Sequence, residues 1–248
     1  MLTDTGGIVL KQIRTSYNRR MIKLFTRELG KISAGTGIGE RPRGKSGLLL
    51  DPFTYGRYQI YSNRDSYNIN SGEVVKSFFG IAEDVEKYMH GSYALEFTEK
   101  ALPEGMPAPA VFDLLVEFFT LLENRKKGFG TLVLAYQTKL IYLSGFMPQL
   151  RSCVSCGQQK PAHSFHIEGG GIICGDCAAR LEKTGADTLI YCGRFDIVDI
   201  IEYFAENPLK KLENIALPEE TGRLLQKLLR EYVACHLGIT DMKSETLI

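Results

Sequence analysis

The chain reads as an α+β protein: an N-terminal OB-fold β-barrel, then an α-helical domain interrupted by an inserted ribbon that carries four cysteines. Three observations predict this. Short alternating apolar segments broken by glycine fill residues 7 to 68. Apolar residues then recur at helical spacing, and two Cys-x-x-Cys knuckles break into the helical part. The expected divisions are 1–70 for the barrel, 71–150 for the first helical part, 151–182 for the ribbon and 183–248 for the second helical part.

Ile8-Val9-Leu10 opens the first strand. Met21 to Thr26 alternates and turns at Glu28-Leu29-Gly30 into Lys31-Ile32-Ser33-Ala34. Gly35, Gly37 and Gly39 let a strand bend sharply, as closure of a small barrel requires. Phe53 to Tyr61 supplies another strand, and about five strands over so short a stretch fit an OB-fold better than an SH3-like barrel.

From Ser71 the spacing becomes helical, with Val74, Val75, Phe78, Phe79, Ala82, Val85 and Met89 on one stripe and Gly91 as the stop. Pro107 and Pro109 introduce a second helix with Val111, Phe112, Leu115, Phe118, Phe119 and Leu122 inward. A third runs from about Thr131 to Ser144. Beyond the cysteines, Asp196 to Ala205 forms a short helix, and Pro218 opens a last one that stops at Gly238.

Cys153-Val-Ser-Cys156 and Cys174-Gly-Asp-Cys177 are separated by seventeen residues. A two-residue gap lets both sulfurs of a knuckle point at one ion, so two knuckles close one tetrahedral thiolate cage. Between them, Ser164 to Ile167, Gly169-Gly170-Gly171 and Ile172-Ile173 read as a hairpin. This is the layout of a four-cysteine zinc ribbon with a structural Zn²⁺; closed coordination leaves no position for a catalytic water. His163 and His166 are expected to be surface polar residues, and Cys192 and Cys235 small core residues. A thioredoxin-like dithiol is the competing reading.

Composition bounds the rest. At 44% hydrophobic and 24% charged, the chain is an ordinary globular one. The apolar runs are too short to span a bilayer, and no signal peptide is expected at Met1 to Gly7. Thiolate ligands suit a reducing compartment, so a cytoplasmic location is expected. The formal net charge of +1 conceals an asymmetry: residues 1–80 balance to +7 and residues 81–248 to −6.

The basic excess is concentrated. Lys11, Arg14, Arg19, Arg20, Lys23, Arg27, Lys31, Arg41, Arg43 and Lys45 are opposed only by Glu28 and Glu40. Lys23, Phe25 and Arg27 share one face of a strand, so cation and ring alternate as a surface for single strands would need. Arg41 to Lys45 reads as a loop able to reach a second stretch of backbone. Tyr55, Tyr58, Tyr61 and Tyr67 are expected mainly as barrel wall. His90 and His236 are expected near helix ends, where a cation complements the dipole. No phosphate-binding loop, nucleophile elbow or His-Glu-x-x-His is present, so the chain is not expected to be an enzyme.

With basic barrel, helical body and ribbon in that order, the chain resembles the bacterial recombination mediator RecO family. The residues that carry the resemblance are Gly7 to Leu10, Leu24 to Lys31, Leu49-Leu50-Asp51-Pro52-Phe53 and Gly145 to Leu150 before Cys153 and Cys156-Gly157. Tyr232, His236-Leu237-Gly238 and Lys243-Ser244 close the match. The resemblance implies an OB-fold that binds single- and double-stranded DNA and anneals complementary strands. It implies partnership with RecR and the single-strand-binding protein, leading to loading of RecA. The acidic tail of the single-strand-binding protein would dock on the helical body, where Lys126, Lys127 and Lys139 are candidate contacts. A barrel-plus-ribbon RNA-binding factor of translation or transcription is the alternative.

Overall fold

The computed structural model describes residues 1–14, 20–38, 48–64, 66–159, 163–183, 190–192 and 196–244. These fall into two compact units: Met1–Phe129 with the segment from Met242, and Gly130–Asp241.

The first unit is built on a closed barrel of β1 (Leu2–Arg14), β2 (Arg20–Thr26), β3 (Gly30–Thr36), β4 (Thr54–Ser62) and β5 (Tyr67–Ser77), in the order β1-β2-β3-β5-β4. All pairings are antiparallel except β3 with β5, which closes the barrel in parallel. That is the OB-fold. Inside lie Val9, Ile22, Leu24, Ile32, Ala34, Tyr58, Ile60 and Ile69, and the strand period of two sends their neighbours outward. Leu49 and Leu50 join this core from the β3–β4 connection. The Tyr58 hydroxyl donates to the Leu49 carbonyl at 2.5 Å, and Gln12 Nε2 donates to the Leu50 carbonyl. Burial drives the Tyr58 phenol well above its usual range.

The spacing reading from Ser71 is corrected here: residues 71–77 continue β5, and the helix begins later. Two bulges in the β4–β5 ladder displace Asn70 and Val75 from the register. They break the strand period and leave apolar residues at spacings that mimic a helix. A short α1 (Phe79–Ala82) follows, then α2 (Val85–Ala101), capped by the Asp84 carboxylate accepting from Glu86 N and Lys87 N. Gly91 does not stop α2 but lies inside it. A Cβ there would stand 2.8 Å from Cε1 of Phe53, so glycine admits the ring.

Phe53 itself occupies the left-handed region (φ 61). Its ring is held edge-on by Phe119 at 5.5 Å and Tyr88 at 5.7 Å between centroids. α3 (Pro109–Asn124) lays Phe112 against Phe25 and Tyr55, and Phe119 against Phe53 and Phe78. The part of the outer wall around Ile8, Phe25 and Tyr55 is therefore buried under α3, which is why Ile8-Val9-Leu10 is apolar without alternation. His90 is also corrected: it lies within α2, largely buried, with Nδ1 donating to the Glu86 carbonyl.

The returning segment from Met242 is held by α2. Glu96 accepts from Lys243 N (3.0 Å), Ser244 N (2.7 Å) and Ser244 Oγ (2.6 Å). Burial pushes the Glu96 carboxyl up, but these hydrogen bonds and Lys100 outweigh it and hold it below the ordinary range.

In the second unit, α4 (Phe129–Leu143) ends before Gly145 in the left-handed region. A three-stranded sheet follows, β7 (Gly171–Ile173), β6 (Ser164–His166) and β8 (Ile190–Cys192) in that order, with α5 (Gly175–Lys183) between β7 and β8. The expected hairpin is β6–β7; β8 was not foreseen. α6 (Asp196–Glu206), a 3-10 turn (Leu209–Leu212) and α7 (Glu219–Leu237) complete the unit. Tyr232 of α7 packs edge-on against Phe165 of β6, and its hydroxyl donates to the Phe146 carbonyl. His236 lies against Tyr232 with the rings tilted, 4.3 Å between centroids, and donates to the Ile167 carbonyl at 2.6 Å, a specific partner beyond the helix dipole. Cys235, expected in the core, is exposed because it lies on the outer side of α7.

Two tests follow from the first unit. Gly91→Ala should lower stability by about 1–3 kcal/mol in urea titration, since overpacking against Phe53 outweighs the helical gain of alanine. For Glu96 the folded value is depressed, so its contribution is full above the unfolded glutamate range near about 4.3 and fades as pH falls through the folded value. Hydrogen exchange at the Ser244 amide should accelerate relative to the α2 core over that acidic window. Glu96→Gln should remove the dependence.

Candidate nucleic-acid interface and metal centre

The two cysteine knuckles are shaped by backbone pairing. The first is a turn in which Gly157 N donates to the Cys153 carbonyl at 2.8 Å, with Gly157 in the left-handed region. Val154 N donates to the Ile172 carbonyl and ties this knuckle to β7. In the second, Cys177 N and Ala178 N both donate to the Cys174 carbonyl, so the knuckle is the entry to α5.

The four sulfurs come together, all within 4.8 Å of one another. A tetrahedron with metal–sulfur bonds of about 2.3 Å has edges of about 3.8 Å, and Cys156 Sγ lies 3.9 Å from Cys174 Sγ. The donor set thus fits one tetrahedral ion rather than two separate dithiols. Cys153, Cys174 and Cys177 are buried while Cys156 is exposed. Neither His163 nor His166 joins the cluster: His163 is exposed and bonds Ser164 Oγ, as expected of a surface polar group. His166, by contrast, is half-buried with Nε2 enclosed.

The thiols differ. Burial pushes Cys153 up, but backbone N–H groups of Cys174, Cys156 and Ser155 pull it down to about 6. Cys156 has the Gln158 amide in its favour, yet desolvation and the other three sulfurs push it up to about 11. Cys177 is held below the usual thiol range by Ser155 and, against burial, by the Arg180 guanidinium. For Cys153 and Cys177 these are the charge-stabilising contacts a thiolate ligand needs, whereas at Cys156 the Gln158 amide is outweighed.

The expected cationic residues divide into three groups. Lys23, Arg27 and Lys31 are engaged by the helices that cover β2 and β3. Lys23 pairs with Glu99, and Arg27 pairs with Asp113, which raises its guanidinium above the ordinary value. Lys31 is buried and donates to the Glu99 carbonyl at 2.5 Å; burial lowers its ammonium despite Glu99 nearby. Phe25 between them is 0% exposed against Phe112, so it is a core ring and not a stacking platform. Lys23 and Phe25 share a face of β2 that helices cover, whereas Arg27 lies just past the strand, in the turn, and stays exposed beside Asp113.

Lys11 and Arg14 are exposed on β1, and Arg20 on β2 donates to the Ile38 carbonyl. The ladder sets Lys11 opposite Lys23 and Arg14 opposite Arg20. Arg19, Arg41, Arg43 and Lys45 lie outside the described residues.

Lys126 and Lys127 are exposed in the first unit. Lys139 belongs to the second, where its ammonium donates to the Ala205 carbonyl at 3.0 Å. Sequence reasoning passed over Arg57, which is exposed on β4 and lines an open groove of about 310 Å³ with Asp4, Gln59 and Glu73. Its position between inward Gly56 and Tyr58 was the available signal. Among the tyrosines, Tyr58 is core, Tyr55 packs on Phe112 and Tyr61 is exposed. Among the described residues no helix is long and apolar enough to cross a membrane.

Residues 1–78 match the family model described as recombination protein O N terminal, and residues 82–246 the one described as recombination protein O C terminal. Curated relatives agree over nearly the whole length. The DNA repair protein RecO of Alkaliphilus metalliredigens (strain QYMF) is 30% identical over 98% of this chain and 97% of its own. Those of Caldanaerobacter subterraneus subsp. tengcongensis and Bacillus subtilis (strain 168) are 29% and 27% identical, over 97% and 96% of this chain and 95% and 91% of their own.

The donor set makes a direct prediction. Cys174→Ala should abolish stoichiometric metal binding and lower the melting temperature of the second unit. Plasma emission spectrometry and calorimetry of the full chain check this, and retained metal would overturn the four-sulfur cage.

Proposed function

This chain belongs to the recombination protein O (RecO) family, and on that footing we propose that it is a non-enzymatic DNA-binding mediator of recombinational repair. It binds single- and double-stranded DNA, anneals complementary strands, and helps load RecA on DNA coated by single-strand-binding protein, with RecR as a partner. It works in the cytoplasm, at the nucleoid.

The observation that carries the DNA-binding part is the strand register. Arg14 stands directly opposite Arg20, and Lys11 opposite Lys23. This gathers positive charge at one end of the β1–β2 ladder, with Lys11 and Arg14 exposed, and clustered cations on an open surface suit a polyanion. Glu99 already serves Lys23. Arg14 and Arg20 flank the β1–β2 connection that carries Arg19, and Arg41, Arg43 and Lys45 occupy the β3–β4 connection. We therefore shift the interface away from Lys23, Arg27 and Lys31 toward these two connections. Cations there lower the repulsion between two phosphate backbones, so complementary bases meet more often. The acidic remainder of the chain suits recruitment of partners rather than DNA. Lys126, Lys127 and Lys139 remain the candidates for the acidic partner tail.

The metal is zinc in this reading. When bound it supplies a crosslink between the two knuckles, and the chain contributes Cys153, Cys156, Cys174 and Cys177 as thiolates. Binding of this kind contributes on the order of 10–16 kcal/mol to folding of a small module.

Annealing of complementary labelled oligonucleotides across a salt series tests the reading. Log affinity for single strands should fall by about 0.7 per phosphate contacted with each log unit of salt. An Arg14→Glu/Arg20→Glu variant should anneal at least tenfold more slowly, with the slope reduced by roughly 1.4. Salt-independent binding, normal annealing by this variant, or preference for RNA in direct competition would each defeat the proposal.

A further inference from the structure

The surroundings of the four sulfurs are unequal. Arg180, three residues after Cys177 on α5, donates from Nη2 to Cys177 Sγ at 2.8 Å. Its Nε donates to the Asp176 carbonyl at 3.2 Å, so the guanidinium is pinned at two points over the first turn of the helix. Ser155 of the first knuckle also hydrogen-bonds Cys177. Cys156, at the other extreme, is the exposed sulfur, and the Gln158 amide and the other three sulfurs are its neighbours. Four thiolates around one divalent ion carry a net charge of about −2. The thiolate that carries the least compensated charge is the best nucleophile and the first to leave the metal.

We infer that Arg180 is the charge-balancing and positioning residue of the four-sulfur centre, and that attack by electrophiles on the bound metal site begins at Cys156 while Cys177 is shielded. The guanidinium draws charge from the Cys177 sulfur through a directed hydrogen bond and fixes its orientation. Outer-shell partners of this kind set metal affinity and exchange without touching the ion. The centre then has a front and a back: one sulfur open to solvent chemistry, one locked by an arginine. The inference rests on the reading that the cage holds zinc.

The test uses the zinc-loaded full chain with iodoacetamide as the probe. The thiolate sulfur attacks the methylene carbon, an S–C bond forms, and iodide leaves with the bonding pair. The neutral thioether releases the metal to a chromogenic chelator. Among the four ligand sulfurs, wild-type protein should be alkylated first at Cys156 by peptide mass mapping, with Cys177 lagging, while the exposed Cys235 outside the cage reacts independently and serves as an internal control. Arg180→Ala should speed zinc release about tenfold, weaken zinc in a chelator competition by about 10–100-fold, and let Cys177 react alongside Cys156. Arg180→Lys, which keeps the charge and loses the fork, should fall between the two and serves if the alanine variant does not fold. Unchanged order and rate of alkylation in both variants, even with a lower melting temperature, would reduce Arg180 to a helix-surface residue and overturn the inference. If wild-type protein binds no zinc at all, the metal reading itself fails, a result distinguishable from the former.

Discussion

The aromatic seam between α3 and the barrel governs what the rest of the first unit can do. Phe112 meets Phe25 and Tyr55 edge-on, and Phe119 meets Phe53 and Phe78, at centroid distances of 5.4–5.6 Å. Such contacts are worth about 0.5–1.5 kcal/mol each beyond the area they bury. The seam also brings Asp113 of α3 beside Arg27, and α2 sets Glu99 beside Lys23. Once these rings are packed, the β2–β3 face is a wall inside the unit. Lys23 and Lys31 are thereby drawn into the packing, while Lys11 on β1 and Arg57 on β4 stay on the open surface.

The four-cysteine cluster uses the opposite strategy. Little apolar surface surrounds it: Ile173, Ala178 and Leu181 are its main apolar company. Its cohesion comes from sulfur geometry and from donors that stabilise thiolate charge. The module is then continued into the helices through Tyr232 and His236, which bind the β6–β7 region by a ring contact and a hydrogen bond to Ile167. A four-sulfur cluster and ordinary packing thus share the second unit.

What the sequence made legible follows the range of the interaction. The cysteine spacing is local and carried the cluster completely. The strands β1 to β4 were readable because alternation survives in Ile22, Leu24 and Ile32 and in Tyr58 and Ile60. β5 was misread because two bulges and a mostly exposed surface erased its period. Gly91 looked like a helix stop because the ring that requires it, Phe53, lies far away in sequence. The open basic face expected at Lys23, Phe25 and Arg27 became a packed one at Lys23 and Phe25 for the same reason, with Arg27 left exposed in the turn beyond β2. A strand's own period tells which residues share a side, not what later covers that side. Arg180 was within reach of sequence reasoning, at helical spacing from Cys177, but its meaning needed the sulfur's position.

The clasp at Glu96 has a topological result. Because the chain re-enters the first unit from Met242, residues Gly130–Asp241 are spliced into that unit rather than appended to it. The second unit is thereby moored by two strands of polypeptide, one at each end. A nick at either junction would leave it attached by the other, and a fragment ending at residue 129 would carry the barrel without the residues that Glu96 grips.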